Sequence, residues 1–133
     1  MKILVGYIPT PEGIAAMDYA IAEARARSAE LTVLNTGKDG DYSDERFATS
    51  QDMDALEAEL SRFGLTYDIR RPTDGIPAAD SLLSVAGEIG ADLIVIGLRR
   101  RTPVGKILSG STAQTVLLDA ECPVVAVKAR RHG

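Results

Sequence analysis

Residues 92–97, with the sequence DLIVIG, indicate the fold more clearly than any other stretch of the chain. Four apolar residues, three of them β-branched, follow one another there without a polar residue between them. Such a run is typical of a strand that is buried on both faces of a parallel sheet. Residues 2–7 (KILVGY) have the same character, so two strands of this kind are predicted at once.

Helical patterns separate the strands along the chain. Apolar residues recur at spacings of three and four, and Gly90 stands where the third helix should end. The predicted strands span residues 2–7, 31–36, 65–71, 92–97 and 122–127. The first helix has an apolar face formed by Ile14, Met17, Ile21 and Ala24, and the second has one formed by Met53, Leu56, Leu60 and Phe63. The third helix, 77–89, has an apolar face formed by Ala79, Leu82, Leu83, Ala86 and Ile89. A fourth helix is predicted at 111–119. This alternation predicts an α/β fold, in which helices cover both faces of a parallel sheet.

Length and composition limit the classes of function. The 133 residues fit a single domain, 1–133. The net charge of −4, from 15 basic and 19 acidic residues, argues against non-specific binding to nucleic acid or to an anionic membrane. One cysteine cannot build a disulfide scaffold, and no apolar run approaches the roughly 20 residues of a membrane span. We therefore expect a cytoplasmic protein.

Two loops that follow predicted strands are candidates for a binding site, because ligands of parallel sheets bind beyond the carboxyl ends of the strands. The first loop spans residues 8–13 and the second spans 98–112. In the second loop Gly97 allows a close backbone approach, and a helix opens at residues 110–112 (GST). Four basic residues lie between these points: Arg99, Arg100, Arg101 and Lys106. The pattern fits a phosphate site, but a helix cap beside a solvated arginine loop explains it as well.

The same residues carry a resemblance to a known family. Gly97, Gly110-Ser111, Ala113-Gln114 and the run 122–127 (CPVVAV) resemble the universal stress protein family. The resemblance covers nearly the whole chain, and the C-terminal third is its specific part. It implies a three-layer α/β/α fold whose five-stranded parallel sheet has the order 3-2-1-4-5. It also implies a homodimer, commonly made through the last strand.

The family contains members that bind ATP and members that do not. The binders have a Gly where this chain has Arg100, and an Asp at the end of the first strand where this chain has Ile8. The binding residues that the resemblance implies are Ile8, Pro9, Thr10, Thr36, Ile96, Gly97, Arg100, Arg101, Gly110, Ser111 and Thr112. The ligand would be ATP or AMP, with magnesium beside ATP. The alternative is a family member that binds no nucleotide and acts through protein–protein contacts.

Several other features have simpler interpretations. Cys122 is expected to be a buried, inert thiol, and His132 to lie in a flexible tail. The acidic residues Asp39, Asp41, Asp44 and Glu45 lack the spacing of a calcium loop and indicate a solvated loop. No general base stands out, so an enzymatic role would amount at most to slow ATP hydrolysis.

The last strand contains an apolar run, 124–127, formed by Val124, Val125, Ala126 and Val127. In the strand order that the family implies, this strand lies at an edge of the sheet. An unpaired edge favours pairing with a second copy across a two-fold axis. In the alternative, the basic tail with Lys128, Arg130 and Arg131 shields this edge in a monomer.

Overall fold

The computed structural model describes residues 1–36, 50–71, 75–98 and 111–129. In this part of the chain five strands form one parallel sheet with the order β3-β2-β1-β4-β5. The strands are β1 Lys2–Tyr7, β2 Glu30–Asn35, β3 Tyr67–Arg70, β4 Leu93–Leu98 and β5 Val124–Lys128, and the helices are α1 Pro11–Arg27, α2 Ser50–Arg62, α3 Ala78–Ile89 and α4 Ser111–Asp119. The predicted fold class and the strand order that the resemblance implied are confirmed.

Two apolar cores lie on opposite faces of the sheet, because successive side chains of a strand point to opposite sides. On β1, Ile3 and Val5 face α1 and α2, whereas Leu4 faces α3 and α4. The first core contains Val33, Val95, Met17, Ile21 and Leu60, and the second contains Leu34, Ile94, Ile96, Leu82 and Val116. The molecule therefore has three layers, α/β/α, as expected.

Small side chains bring α1 close to the sheet. Ala16, Ala20 and Ala24 are spaced four residues apart, so they fall on one face of the helix, and all three are fully buried. Methyl side chains let the helix backbone approach the strands more closely than larger side chains would. Because α1 packs against both β1 and β4, its position fixes the ends of these two strands.

The helix boundaries differ from the prediction at one informative point. The helical pattern was recognised from Ile14, but α1 begins at Pro11, with Thr10 as its N-cap. Proline is well suited to the first helical position, since its missing N–H would find no partner there. Ile14 is 49% exposed, because the buried face of α1 is centred on its alanines and Ile14 lies at the border of that face.

A second difference concerns α3. Leu83 was expected to face inward but is only half-buried, whereas Ser81 is buried. The helix is therefore rotated so that Ala78, Ser81 and Leu82 face the interior. Gly90 ends the helix in the left-handed conformation with φ 66°, as the sequence predicted.

The two edge strands differ in character. On β3, the Arg70 guanidinium donates hydrogen bonds to Asp68 at 2.9 Å and to Glu88 of α3. On β5, the run 124–127 is apolar and half-buried. Charged side chains protect a sheet edge from pairing, so the protection differs between the two sides of this sheet.

Candidate functional site

The direction of winding reverses between β1 and β4. From β1 the chain proceeds outward to β2 and β3, then returns to β4, which pairs with β1 through Ile3↔Leu93 and Val5↔Val95. The carboxyl ends of these two strands are therefore neighbours. In parallel sheets such a reversal opens a crevice in which ligands bind.

The loop after β1 brings three of the predicted site residues to this point. Ile8 and Pro9 are half-buried, and Thr10 is 7% exposed. The Thr10 N–H donates to the Ile8 carbonyl at 2.8 Å, and the Thr10 Oγ1 accepts from the Gly13 N–H at 3.1 Å. Thr10 thus caps α1 while its hydroxyl proton stays a potential donor.

Gly97 and Gly13 make the closest approaches at this end of the sheet. A Cβ added at Gly97 would lie 2.6 Å from the Glu12 carbonyl oxygen and 3.1 Å from the Gly13 nitrogen. A Cβ added at Gly13 would lie 2.0 Å from the Ile8 carbonyl oxygen. The end of β4 therefore packs backbone to backbone against the first turn of α1. This contact with α1 accounts for glycine at position 97, and the ligand role expected from the sequence stays a prediction.

Thr36 and Ile96 are both buried, at 6% and 4% exposure. The Thr36 N–H donates to the Tyr7 carbonyl at 3.1 Å, which ties the end of β2 to the end of β1. The Ile96 side chain packs in the core beneath α3 and α4. Both residues therefore lie at or near the carboxyl ends of the strands, Thr36 just after β2 and Ile96 within β4.

The phosphate half of the predicted site is only partly described. α4 begins at Ser111, and Thr112 in its first turn is half-buried. Arg100, Arg101 and Gly110 lie outside the described residues, as do Arg99, Lys106, the acidic residues 39–45 and His132.

One buried polar group was missed by the sequence analysis. Ser81 in α3 is 6% exposed, and its hydroxyl has no hydrogen-bond partner within the described chain. Its neighbour Leu82 lies 3.2 Å from the Cβ position of Gly6, so this part of α3 lies level with the end of β1. Ser81 could have been recognised in the sequence as a polar residue within an otherwise apolar helical face.

Cys122 and the acidic residues do not form a reactive or metal-binding group in the described ranges. Cys122 is half-buried, and burial raises the pKa of its thiol above the ordinary value. Because the thiolate is the nucleophilic form, this thiol is held in its less reactive state. The described residues contain no group of three or more His, Cys, Asp or Glu side chains that could hold a metal ion. They also contain no helix that is long and apolar enough to cross a membrane.

Comparison with known proteins gives matches over almost the whole chain. A universal stress protein of Mycolicibacterium smegmatis is 44% identical over 126 residues, which cover 95% of this chain and 96% of that protein. The structure of the Archaeoglobus fulgidus universal stress protein in complex with dAMP matches with a TM-score of 0.60 and 24% identity, covering 96% of this chain and 98% of that one. A universal stress protein in complex with cAMP matches with a TM-score of 0.68 and 21% identity, covering 98% of each chain.

The family model described as the universal stress protein family matches residues 1–128. Its match extends over the whole sheet and all four helices, and the alignment with the mycobacterial relative covers 95% of the chain. The chain belongs to the universal stress protein family.

Proposed function

We propose that this protein binds an adenine nucleotide in the crevice at the carboxyl ends of β1 and β4, acting as a single domain in the cytoplasm. The observation that carries the proposal is the contact between Gly97 and the first turn of α1, which holds the loop 8–10 beside the exit of β4. Relatives of the same fold have been solved with dAMP and with cAMP, which supports an adenine nucleotide as the class of ligand.

The proposed roles divide between the two strand ends. Near β1 and β2, Thr10 and Thr36 would lie beside the sugar and the base, with Ile96 beneath them. The phosphates would be bound by Gly97, Arg100, Arg101, Gly110, Ser111 and Thr112. Arginine binds phosphate through paired N–H donors. The Arg100 side chain would therefore donate to the phosphates the hydrogen bonds that the backbone at the family's glycine donates in the binders. With ATP as ligand, magnesium would be bound by the phosphate oxygens.

Thermal unfolding with ATP, ADP, AMP and cAMP, each with magnesium, tests the proposal directly. A ligand present at 100 times its Kd stabilises the folded state by about 2.7 kcal/mol. For a domain of this length we expect a rise in Tm of several degrees. A rise that increases with the number of phosphates supports binding by Arg100 and Arg101. No rise at millimolar nucleotide contradicts the proposal.

Two substitutions with matched controls locate the site. Ile8→Asp places a carboxylate where the binders of the family have one, and we expect this variant to bind the nucleotide more tightly. Its control is Ile14→Asp, which adds the same charge on the exposed border of α1 and should leave the affinity unchanged. Gly110→Val should abolish binding by blocking the approach of the phosphates. Its control is Gly87→Val, at an exposed position of α3 where no atom lies within 4 Å of the added Cβ. Equal affinities in all four variants would place the nucleotide elsewhere.

The alternative function is that of a family member that binds no nucleotide and acts by protein contacts. The observation that favours it is the half-buried Ile8, whose side chain offers no hydrogen bond at the end of β1. Absence of any thermal shift with every nucleotide, together with normal folding, would favour this role over the first.

We also propose a homodimer formed through β5. Within the described chain β5 pairs only with β4, and Leu117 and Leu118 of the neighbouring α4 are 47% and 83% exposed. Hydrogen exchange at increasing protein concentration tests this pairing. We expect the amides of residues 124–127 to become protected while those of β3 do not change. Unchanged exchange on both edges, with a monomeric mass in sedimentation, would rule the dimer out.

A further inference from the structure

The amino end of the sheet contains a second cavity, far from the crevice described above. It has a volume of about 320 Å³ and lies where α1 and α2 end. Its lining includes Arg25 and Ser28 at the end of α1, then Phe63, Gly64 and Thr66 between α2 and β3. None of the eight lining residues is acidic, so the only full charge on the wall is the Arg25 cation.

Two guanidinium groups share the ring of Phe63. The Arg25 Cζ lies 4.2 Å from the ring centroid, and the Arg62 Cζ lies 5.2 Å from it. Neither arginine forms an ion pair with a described residue, although the neighbouring Arg27 is paired with Glu23 at 2.7 Å. Two like charges held near one ring repel each other, and an anion bound beside Arg25 would reduce this repulsion.

Ser28 gives an independent indication. It ends α1 in the left-handed conformation, with φ 52° and ψ 43°, and it is the only non-glycine residue with positive φ among the described residues. Glycine adopts this conformation without strain, whereas serine does not. Ser28 lines the cavity at a position where glycine would give the more stable chain. Strain of this kind is often retained at functional sites.

We infer that this cavity is a binding site for a small anion that carries a carboxylate or a phosphate group. The Arg25 guanidinium would donate paired hydrogen bonds to its oxygens. The Arg62 guanidinium, 5.2 Å from the centroid of the same Phe63 ring, would add positive charge nearby. The hydroxyl groups of Ser28 and Thr66 would donate further hydrogen bonds. This site is separate from the proposed nucleotide crevice and does not depend on it.

Arg25 and Arg62 lie near helix ends, so their charges also affect helix stability, and the test must separate this effect from anion binding. Basic residues in the last turn of a helix interact favourably with its dipole, and Arg27 does so as well. Arg27→Gln is therefore the matched control for Arg25→Gln: both remove one positive charge near the end of α1, but only Arg25 lines the cavity.

Titration followed by ¹⁵N–¹H NMR tests the inference, with inorganic phosphate and citrate as probes and chloride at equal ionic strength as reference. We expect saturable shifts of the amides of Ser28, Gly64 and Thr66 with one or both probes. A response to phosphate alone or to citrate alone identifies the preferred group. The affinity should fall at least tenfold in Arg25→Gln and stay within twofold in Arg27→Gln.

Ser28→Gly supplies a readout that a purely structural role would not produce. We expect this variant to melt at a higher temperature than the parent protein but to bind the probe more weakly. Shifts that match those in chloride, or that survive unchanged in both Arg25→Gln and Ser28→Gly, would overturn the inference. If Arg25→Gln fails to fold, the Ser28→Gly titration decides alone.

Discussion

The two ends of the sheet are built on different principles. At the carboxyl end, Gly97 lets β4 touch the first turn of α1, and Gly13 lets that turn lie against the backbone of the nearby Ile8. At the amino end, Ser28, Gly64 and Gly90 turn the chain in the left-handed conformation, and the two glycines have open space around the Cβ position. Positions 13 and 97 at the carboxyl end are therefore determined by close backbone contact and should tolerate little change. The amino end is determined by the conformation of single residues and should tolerate more.

Gly13→Ala should have the largest effect and would test the rigid end. The added Cβ would lie 2.0 Å from a backbone oxygen, which cannot move aside as a side chain can. We expect the free energy of unfolding to fall by about 3 kcal/mol or more, which is at the upper end of the range for substitutions that overpack a site. Urea unfolding measures it. A loss below about 1 kcal/mol would show that the two segments separate easily, and the contrast between the ends would not hold.

Gly90→Ala tests the other end by the same chemical change. No atom lies within 4 Å of the added Cβ, so the cost comes only from the positive φ of 66°. This conformation costs a non-glycine residue about 1–2 kcal/mol. Urea unfolding of the two alanine variants side by side gives the comparison. Equal losses for Gly13→Ala and Gly90→Ala would mean that the close contact at Gly13 costs no more than the positive φ at Gly90, and the contrast would not hold.

Thr10→Ala removes the cap of α1 at the carboxyl end. Loss of an N-cap side chain costs about 1 kcal/mol, because one helical N–H loses its partner. Thr10→Ser keeps the hydroxyl and should restore most of the stability, as measured by thermal unfolding. If alanine and serine behave alike, the hydrogen bond to Gly13 contributes nothing.

Gly87→Ala should have the smallest effect, and it should be favourable. Gly87 lies inside α3, exposed and without close neighbours. Alanine in a helix interior is more stable than glycine by about 0.5–1 kcal/mol. A rise in Tm would confirm that the effect of alanine depends on the free space at the position, and not on the removal of glycine as such. A fall would point to a contact of Gly87 that the structure does not contain.

The sequence predicted the architecture because the signals for it are local. Uninterrupted apolar runs identify β1 and β4, and Gly90 identifies the end of α3, from a few adjacent residues each. The order of the strands came from the resemblance to the family and not from these patterns. Ile14 shows the limit of the approach, because its exposure depends on how α1 is rotated against the sheet, which the alanines decide.

The candidate site was less predictable for a physical reason. Gly97 was recognised as a point of close approach, but the sequence could not show that its neighbour is α1, because the contact joins residues more than 80 positions apart. Thr10 was selected for its hydroxyl, and its capping role depends on where α1 begins. Arg25 and Phe63 were not singled out as a pair, since two helices must end side by side before they meet.

The charges on β3 have a consequence for how copies of this protein can assemble. Pairing of β3 with β5 of another copy would leave the opposite edges free, so it would repeat without closing and produce a filament. Asp68, Arg70 and Glu88 make β3 a poor acceptor for such growth. Pairing of β5 with itself, by contrast, would use the apolar run 124–127 of both copies and leave only the charged β3 edges. In the proposed homodimer, edge-to-edge growth would therefore end at two copies, because the charged β3 edges would not pair further.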